Sequence, residues 1–476
     1  MTKLPVKHYD PVSAAPVKSF FVSMLTRDIK LEEAILDLLD NCVDGILRTE
    51  GKPKKGKKPY EGFWAEIKFG KDMFEISDNC GGIPWDLHDY AFRMGRDPNR
   101  PADAPGAVGV YGIGMKRAIF KLGEQCLIST QNDKDAYDVE IGKAWIHDES
   151  TWEIPVRAAK RTTKSDGTVI VIGELHPGIA ARFGNDAQDF TRELERMVAT
   201  HYAFIIDKGF SVKLNGKSVE PKPTQLVFNE RPKGKKSPSV QPYMFRGEIE
   251  GVHVFLAVGF TRPIPSEDEV LLEQDETRWS TMDAGWTVVC NDRAVLYCDR
   301  SELTGWGEAG VPRYHTQFIA IAGVVEFRSD EAGKLPTTTT KRGIDASSTL
   351  YLQVKNKMRE GLRVFTDYTN RWKGRVEESK THITGAKALS LEQLKVESKK
   401  LPFSATTKAF PKGKAEQYRP SLPMPKNDSK KTRVAFIRNT SEVRSVSSHL
   451  FKGNESADPS EVGGKCFDLI LQEASK

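Results

Sequence analysis

The sequence predicts a mixed α+β protein in which helices pack on an antiparallel or mixed β-sheet. Apolar residues recur at three- and four-residue spacing over 17–50, as in an amphipathic helix. Short apolar runs bounded by turn residues follow at 63–77, 126–142 and 167–175, as in strands. Because both patterns occur in one stretch of chain, we expect a layer of helices over a sheet.

The composition argues against several classes of protein. The chain has 476 residues, 38% of them hydrophobic, which suits two or three domains. It contains no apolar run of the roughly 20 residues that cross a bilayer, and its N-terminus lacks a signal pattern. Six cysteines without CxxC spacing do not favour a disulfide framework or a zinc site. We therefore expect a cytoplasmic protein without membrane contact.

The net charge of +6 lies in the C-terminal hundred residues. Residues 376–476 hold 18 Lys and Arg against 12 Asp and Glu, whereas the first 375 residues hold 53 of each. The most basic part is 387–433. A basic tail on a neutral body favours contact with an acidic polymer such as nucleic acid. A solvated linker has the same composition, so the charge leaves both interpretations open.

The first motif, DLLDNCVDG at 37–45, lies in the helical stretch. Asp37 and Asn41 are four residues apart, so they share one face of the helix. A carboxylate that orients water, beside an amide that ligates a divalent cation, suits phosphate hydrolysis. Taken alone, the pattern is more typical of the solvated face of a helix.

The second motif, ISDNCGGIP at 76–84, ends a predicted strand. Asp78 can accept a hydrogen bond from an exocyclic amine such as that of adenine, and the glycines let the backbone approach a flat ligand. Taken alone, a plain β-turn explains the same residues more simply.

The third motif, GVYGIGMKRA at 109–118, places glycines at the start of a helix. Exposed backbone N–H groups and the helix dipole at such a start favour phosphate binding, and Lys116 adds a positive charge. The motif has no preceding strand and no GKS or GKT ending, which argues against a Rossmann turn and a P-loop.

In this order and spacing, the motifs resemble those of the GHKL ATPase superfamily, which includes gyrase, the large heat-shock chaperone, histidine kinases, MutL and the MORC proteins. The first motif is similar to the N-box, the second to the adenine-binding DxGxG box and the third to the glycine box of the lid. Gly167–Thr168 begins a strand where the family has a threonine that supports adenine binding. The resemblance covers about 35–175 and implies a two-layer Bergerat-type ATPase sandwich.

The resemblance implies a role for each matched residue. Asn41 is the implied Mg²⁺ ligand, Asp78 reads the adenine amine with help from Thr168, and Asp37 activates the hydrolytic water. Gly82 and Asp44 belong to the same motifs, and Gly82 contributes to nucleotide binding. The implied phosphate-binding residues of the lid, which spans about 94–116, are Gly109, Tyr111, Gly112, Ile113, Gly114, Met115 and Lys116.

The chain departs from the family pattern at two positions. Asp37 replaces the usual glutamate and is one methylene shorter, and a misplacement of about 1 Å can cost roughly a hundredfold in rate. Cys80 replaces the first glycine of the DxGxG box with a small apolar side chain. We therefore expect ATP binding to be retained and hydrolysis to be slow.

The region after the first domain resembles the transducer domain of gyrase, MutL and MORC-type proteins, in which a loop lysine reaches the γ-phosphate. The segment LPTTTTKRGID offers Lys341 for that role, with Lys334 and Arg342 as lesser candidates. A solvated loop lysine is the alternative interpretation. The transducer, and the lack of a phosphoacceptor helix before the pocket, argue against a histidine kinase.

The predicted organisation has four parts. They are an ATPase domain at 1–198, an α+β transducer-like domain at 199–375, a basic linker at 376–431 and a small strand-helix-helix module at 432–476.

The resemblance implies an Mg²⁺-dependent ATPase that acts as an ATP-gated, dimerising clamp. A MORC- or MutL-like role on DNA in genome maintenance or antiviral defence is favoured by the basic segment 387–433, and a separately encoded effector is a further expected partner. A chaperone-like ATPase acting on proteins and a nucleotide-sensing module with little turnover remain as alternatives.

Overall fold

The structure is a computed structural model that describes residues 17–50, 58–95, 104–107, 112–161, 165–230, 238–266, 269, 283–338, 341, 343–405, 415–425 and 437–475. The chain divides into two compact units, Met1–Pro425 and Lys426–Lys476. The described residues form a mixed α+β fold with two large mixed sheets, in agreement with the predicted class. None of the described helices has the length and apolar character required to cross a membrane.

The first sheet has eight strands. They are β1 (Trp64–Gly70), β2 (Met73–Asp78), β3 (Gly123–Gln131), β4 (Ala136–Ile141), β5 (Val156–Ala158), β6 (Gly167–Leu175), β7 (Ser211–Leu214) and β8 (Lys217–Ser218). Their order across the sheet is β5-β4-β3-β6-β2-β1-β7-β8. All neighbouring strands are antiparallel except β1 and β7, which run parallel.

Eight helices accompany this sheet among the residues that the structure describes. They are α1 (Lys18–Arg27), α2 (Leu31–Glu50), α3 (His88–Phe92), α4 (Gly114–Leu122), α5 (Lys143–His147), α6 (Pro177–Gly184), α7 (Ala187–His201) and α8 (Ala203–Asp207). The predicted apolar stripe of α2 is buried, with Ile35, Leu39 and Val43 each fully enclosed in the core beside the sheet. Burial of one helical face leaves the polar face of α2 for other contacts.

The second sheet has seven strands in the order β13-β12-β14-β11-β10-β17-β16. They are β10 (Tyr243–Ile249), β11 (Val252–Phe260), β12 (Gly285–Cys290), β13 (Arg293–Asp299), β14 (Ile321–Arg328), β16 (Ser404–Ala405) and β17 (Ala415–Tyr418). The strands β9 (Leu226–Phe228) and β15 (Lys387–Leu389) form a separate pair. The associated helices are α9 (Thr349–Trp372), α10 (Val376–Thr381) and α11 (Leu391–Ser398), of which α9 packs on β10, β11 and β14.

The first sheet continues past the predicted boundary at 198/199. Strand β7 lies beyond it, yet pairs with β1 in parallel from Trp64↔Ser211 to Ile67↔Leu214, and β8 extends the same sheet to Ser218. Backbone pairing with a distant strand leaves no trace in the local sequence, so the local pattern did not indicate this continuation.

Residues 376–405 and 415–425, within the predicted basic linker, contain helices and strands. Strand β17 pairs with β10 through Met244↔Tyr418, and helix α11 buries Leu391 and Leu394. A few apolar residues dock this Lys-rich segment on the second sheet, so its charge did not indicate disorder.

The C-terminal unit contains two helices, α12 (Thr440–Leu450) and α13 (Pro459–Ala474), which pack against each other. Both starts are encoded locally: Asn439 and Glu442 form a capping box, and Asp458 caps a helix that begins with Pro459. The two predicted helices are confirmed. The predicted strand at 432–438 lies largely outside the described residues.

Candidate functional site

A cavity lies between α2, the end of β2, the start of α4 and the start of β6. The predicted residues that line it are Asp37, Asn41, Asp44, Asp78, Cys80, Gly82, Gly112, Ile113, Gly114, Met115, Lys116, Thr168 and Lys341. Gly109 and Tyr111 lie outside the described residues. The three motifs and the distant lysine therefore meet at one place.

The cavity has a volume of about 190 Å³. Small-molecule sites commonly have volumes of roughly 300–1,000 Å³.

Helix α2 supplies the floor of the cavity at one end. Because Ile35, Leu39 and Val43 face the core, Asp37 and Asn41 turn to the opposite side and line the cavity. The side chain of Asn41 is exposed. Its amide oxygen is therefore accessible to a cation in the cavity.

Asp37 is buried and paired with a residue that the sequence analysis did not single out. Its Oδ2 accepts a hydrogen bond from Nη2 of Arg117 at 2.5 Å. Burial raises the pKa of Asp37, the charges of Lys341 and Arg117 oppose that rise, and the pKa stays above its usual value. A carboxyl group with a raised pKa in a cavity is a candidate proton acceptor. Arg117 follows Lys116 directly in the third motif. A second cation at that place was the sequence signal that could have marked Arg117 as a site residue.

Asp78 lies at the end of β2 and is half-buried. Its Oδ1 accepts the backbone N–H of Cys80 at 2.7 Å, and its Oδ2 lies 3.5 Å from the thiol of Cys42, which donates to it. Burial raises the pKa of Asp78, while the hydrogen bonds from Cys80, Cys42 and the backbone of Thr168 oppose the rise. The hydroxyl of Thr168 lies 3.1 Å from that of Thr130.

Glycine is required beside Asp78. Gly82 has a φ of +65°, and a Cβ built there would come within 2.1 Å of the carbonyl oxygen of Gln131. A Cβ at Gly167 would come within 2.0 Å of the carbonyl oxygen of Asp78. Both contacts are with backbone, so no side-chain movement could relieve them.

Cys80 is the position at which the second motif departs from the DxGxG pattern that it resembles. The side chain is buried, and its thiol lies 3.8 Å from the carbonyl oxygen of Trp64. Burial raises the pKa of Cys80, so it stays a neutral thiol. The backbone N–H of Cys80 still donates to Asp78, so the substitution keeps the local geometry of that carboxylate.

Helix α4 begins at the cavity. Gly112 has a φ of +68°, and a Cβ built at Gly114 would lie 3.3 Å from Cβ of Asp37. The first turn of α4 therefore sits directly against Asp37, with backbone N–H groups that have no partner inside the helix. Lys116 is buried beside it, and its Nζ donates to the carbonyl oxygen of Ala91 at 2.8 Å.

Lys341 lies in the segment between β14 and α9 and lines the cavity. Its Nζ lies 3.0 Å from Oδ2 of Asp40, and the backbone of Lys341 has a φ of +54°. Burial lowers the pKa of Lys341, but Asp40 and Asp37 outweigh that effect and keep the pKa above its usual value. Lys334 instead pairs with Glu331 at 2.6 Å and does not line the cavity. Arg342 lies outside the described residues.

Sequence reasoning missed Asp40, although it lies inside the first motif. Its carboxylate is 1% exposed and accepts hydrogen bonds from Tyr202, Arg293 and Lys341. Burial raises the pKa of Asp40, but the charges of Lys341 and Arg293 outweigh it and hold the pKa well below the usual range. Its spacing of three residues from Asp37 was the only sequence signal.

The described residues contain no group of three or more His, Cys, Asp or Glu side chains that could hold a metal ion. Mg²⁺ is commonly held by one or two protein ligands together with substrate phosphates and water. The exposed amide of Asn41, with Asp44 one turn further along α2, fits that donor set.

Comparison with protein-family models finds no match for this chain, and no curated protein matches it. The class of this protein is therefore defined by its fold and its cavity. It is a mixed α+β protein with two large mixed sheets and a cavity lined by carboxylates, an amide, glycines and cations.

Proposed function

We propose that the chain is a GHKL-type ATPase that binds ATP with Mg²⁺ in this cavity and hydrolyses it slowly. The observation that carries the proposal is the meeting of Lys341 and Asp37, more than 300 positions apart in the sequence, in the cavity that also contains Asp78. In this proposal the first sheet and its helices correspond to a Bergerat-type ATPase sandwich and the second to a transducer.

One end of the cavity suits adenine. The carboxyl group of Asp78 can accept a hydrogen bond from an exocyclic amine, and its own contacts with Cys80 and Cys42 fix its orientation. Gly82, at which the close backbone leaves no room for a Cβ, lines the cavity beside it. Thr168 adds a hydroxyl at the same end.

The other end suits phosphates. The first turn of α4 offers backbone N–H groups, and Lys116, Arg117 and Lys341 bring positive charge to the same lining. Asn41 is the residue that would hold Mg²⁺, which when bound neutralises phosphate charge. Cations placed where negative charge develops stabilise a phosphoryl-transfer transition state.

Slow turnover is part of the proposal. Asp37 is the carboxylate that would orient the attacking water, but Arg117 holds its Oδ2 at 2.5 Å. Asp37 can orient water only if its ion pair with Arg117 loosens or if Oδ1 alone accepts the hydrogen bond from the water. The same pair favours the second candidate function, a nucleotide-sensing module with little turnover.

The wider proposal is an ATP-gated clamp in the cytoplasm. Nucleotide between Asp78 and Lys341 would tie the first sheet to the loop that carries Lys341, and two copies would then associate. Contact with DNA through the basic residues of 387–433, and action through a separately encoded effector, are the partners this proposal favours.

Binding of a non-hydrolysable ATP analogue, measured by calorimetry with Mg²⁺, tests the function. We expect Asp78→Asn to weaken binding at least about a hundredfold, since a site built for a hydrogen bond rejects the mismatched partner strongly. Asp138→Asn, on β4 of the same sheet and outside the cavity lining, is the matched control. Equal affinity of both variants, or no binding by the wild type, would contradict the proposal.

A further inference from the structure

The carboxylate of Asp40 joins three segments of the chain behind the cavity. Its Oδ2 accepts from Nζ of Lys341 at 3.0 Å. Its Oδ1 accepts from Nε of Arg293 at 2.9 Å and from the hydroxyl of Tyr202 at 2.5 Å. Asp40 belongs to α2, Tyr202 lies between α7 and α8, and Arg293 begins β13.

The two cations occupy different sides of this carboxylate. Lys341 lines the cavity, whereas Asp40 and Arg293 do not. Asp40 and Arg293 are each 1% exposed, so neither can exchange its partner for water in this arrangement. With Oδ1 held by Arg293 and Tyr202, only Oδ2 is left for Lys341, which lines the cavity together with Asp37.

Arg293 is itself firmly placed. Its Nη1 donates to the carbonyl oxygen of His201 at 3.2 Å, and its guanidinium lies 4.2 Å from the ring centre of Tyr202. It follows the turn 291–292, where both residues have positive φ, as in the tight turns of β-hairpins. The β12–β13 hairpin therefore presets the position of the guanidinium.

We propose that Arg293 and Asp40 are positioning residues that hold Lys341 in the cavity for the phosphoryl-transfer step. Arg293 fixes the carboxylate of Asp40, and Asp40 fixes the ammonium of Lys341 beside Asp37. Neither residue touches the substrate. This inference rests on the proposed ATPase function and assigns the β12–β13 hairpin a part in it.

A double-mutant cycle on the full chain tests the inference through steady-state ATP hydrolysis. We expect Arg293→Met to lower kcat about 10- to 100-fold with little change in KM, because a displacement of about 1 Å can cost a hundredfold. Adding Lys341→Met should lower kcat no further than Lys341→Met alone, since residues that act as one unit are not additive. Multiplicative losses in the double variant would overturn the inference.

Two further variants separate positioning from general stability. Arg293→Lys keeps the charge and should recover part of kcat, which a purely structural role would not predict at equal folded fraction. Arg246→Met is the matched control: Arg246 also lies in the second sheet, pairs with Glu416 at 2.8 Å and stacks on Phe403 at 4.3 Å, away from the cavity. Its kcat should equal that of the wild type, and circular dichroism gives the folded fraction of each variant.

Chemical acetylation followed by mass spectrometry reports the placement of Lys341 without nucleotide. We expect Lys341 to be protected in the wild type and acetylated faster in folded Arg293→Lys. Equal acetylation of Lys341 in both proteins would overturn the inference. A wild type that fails to hydrolyse ATP would overturn the proposed function instead, and the acetylation rates would still test the placement of Lys341.

Discussion

The two ends of the cavity are assembled in different ways. At the Asp78 end, the carboxylate is held by Cys80, two residues away, and by Cys42 of the adjacent helix, and none of these contacts involves a second charge. At the Asp37 end, buried ion pairs join residues 253 and 301 positions apart, Arg293 with Asp40 and Lys341 with Asp40. The first end belongs to one sheet and its helices, and the second depends on contact between distant segments.

This contrast indicates which step each end can control. The Asp78 end is held by local contacts and needs no ion pair with a distant segment, so it can bind a base whatever the rest of the chain does. An end that contains opposed charges from two regions changes when those regions move, because a buried charge needs its partner. Binding should therefore be separable from hydrolysis and from any ATP-driven association.

Lys341→Met should separate the two ends most clearly. We expect kcat to fall at least about a hundredfold, because a cation is removed from the end at which the proposal places the phosphates, while affinity for ADP stays near that of the wild type. Hydrolysis assays and calorimetry give the two numbers. Lys334→Met is the control, since Lys334 lies in the same loop region but pairs with Glu331 outside the cavity. A parallel loss of ADP affinity would show that the two ends are not separable.

Gly82→Ala tests the opposite end. We expect the free energy of unfolding to fall by at least about 2 kcal/mol, because the new Cβ meets backbone in a left-handed conformation. Urea denaturation monitored by circular dichroism measures the change. Gly178→Ala is the control, since Gly178 lies in α6 with no neighbour within 4 Å of its added Cβ. Unchanged stability of Gly82→Ala would refute the close packing described for the Asp78 end.

The pH dependence of kcat probes the charged end at Asp37. Its pKa is raised mainly by burial, so the group protonates, and loses its ability to accept a proton, at a higher pH than an ordinary aspartate. We expect kcat to fall about tenfold per pH unit below that raised pKa. Arg117→Met should move this acid limb to still higher pH, because the charge of Arg117 lowers the pKa. An unmoved limb would mean that another group is the proton acceptor.

Two carboxylates of helix α2, those of Asp40 and Asp37, should make the free energy of unfolding depend on pH in opposite directions. Asp40 has a lowered pKa, so its contribution to the free energy of unfolding is complete above its unfolded value of about 3.9. It is lost as pH falls through the folded value. Asp37, with a raised pKa, gains relative stability as pH falls toward that pKa. Urea titrations give the free energy of unfolding from pH 7 to about 3. We expect that of the wild type to rise relative to that of Asp37→Asn as pH falls. A reversed trend would contradict the assigned directions.

The smallest predicted effect concerns DNA. Deleting 387–433 would remove β15, α11 and β17, so point substitutions are the better test. Replacing the exposed Lys399 and Lys400 by Ala should weaken binding at low salt and reduce the slope of log affinity against log salt by about 1 for each phosphate that is no longer neutralised. Gel-shift titration measures it, with Lys452→Ala in the C-terminal unit as control. No binding by the wild type at low salt would remove the DNA proposal.

Local patterns carried much of the fold. The stripe of Ile35, Leu39 and Val43 predicted α2, and the alternating apolar runs predicted β1 and β2, because burial of one face imposes its period on the sequence. The caps of α12 and α13 were encoded by residues adjacent to each helix start. Strand order, the docking of 376–425 and the pairing of β7 with β1 were not predictable, because they depend on which distant surfaces fit together.

Neighbouring residues alone account for the local motifs: the position of Asp37 and Asn41 on one helical face, the turn after Asp78, and the glycine start of α4. Each depends on residues a few positions away, so the sequence was enough to locate it. The packing of the whole chain was needed to bring Lys341 to the cavity, to pair Arg117 with Asp37, and to enclose Asp40 between Arg293 and Tyr202. Ion pairs between distant segments depend on how the two sheets pack together. The local periodicity of the sequence does not indicate which distant residues will meet.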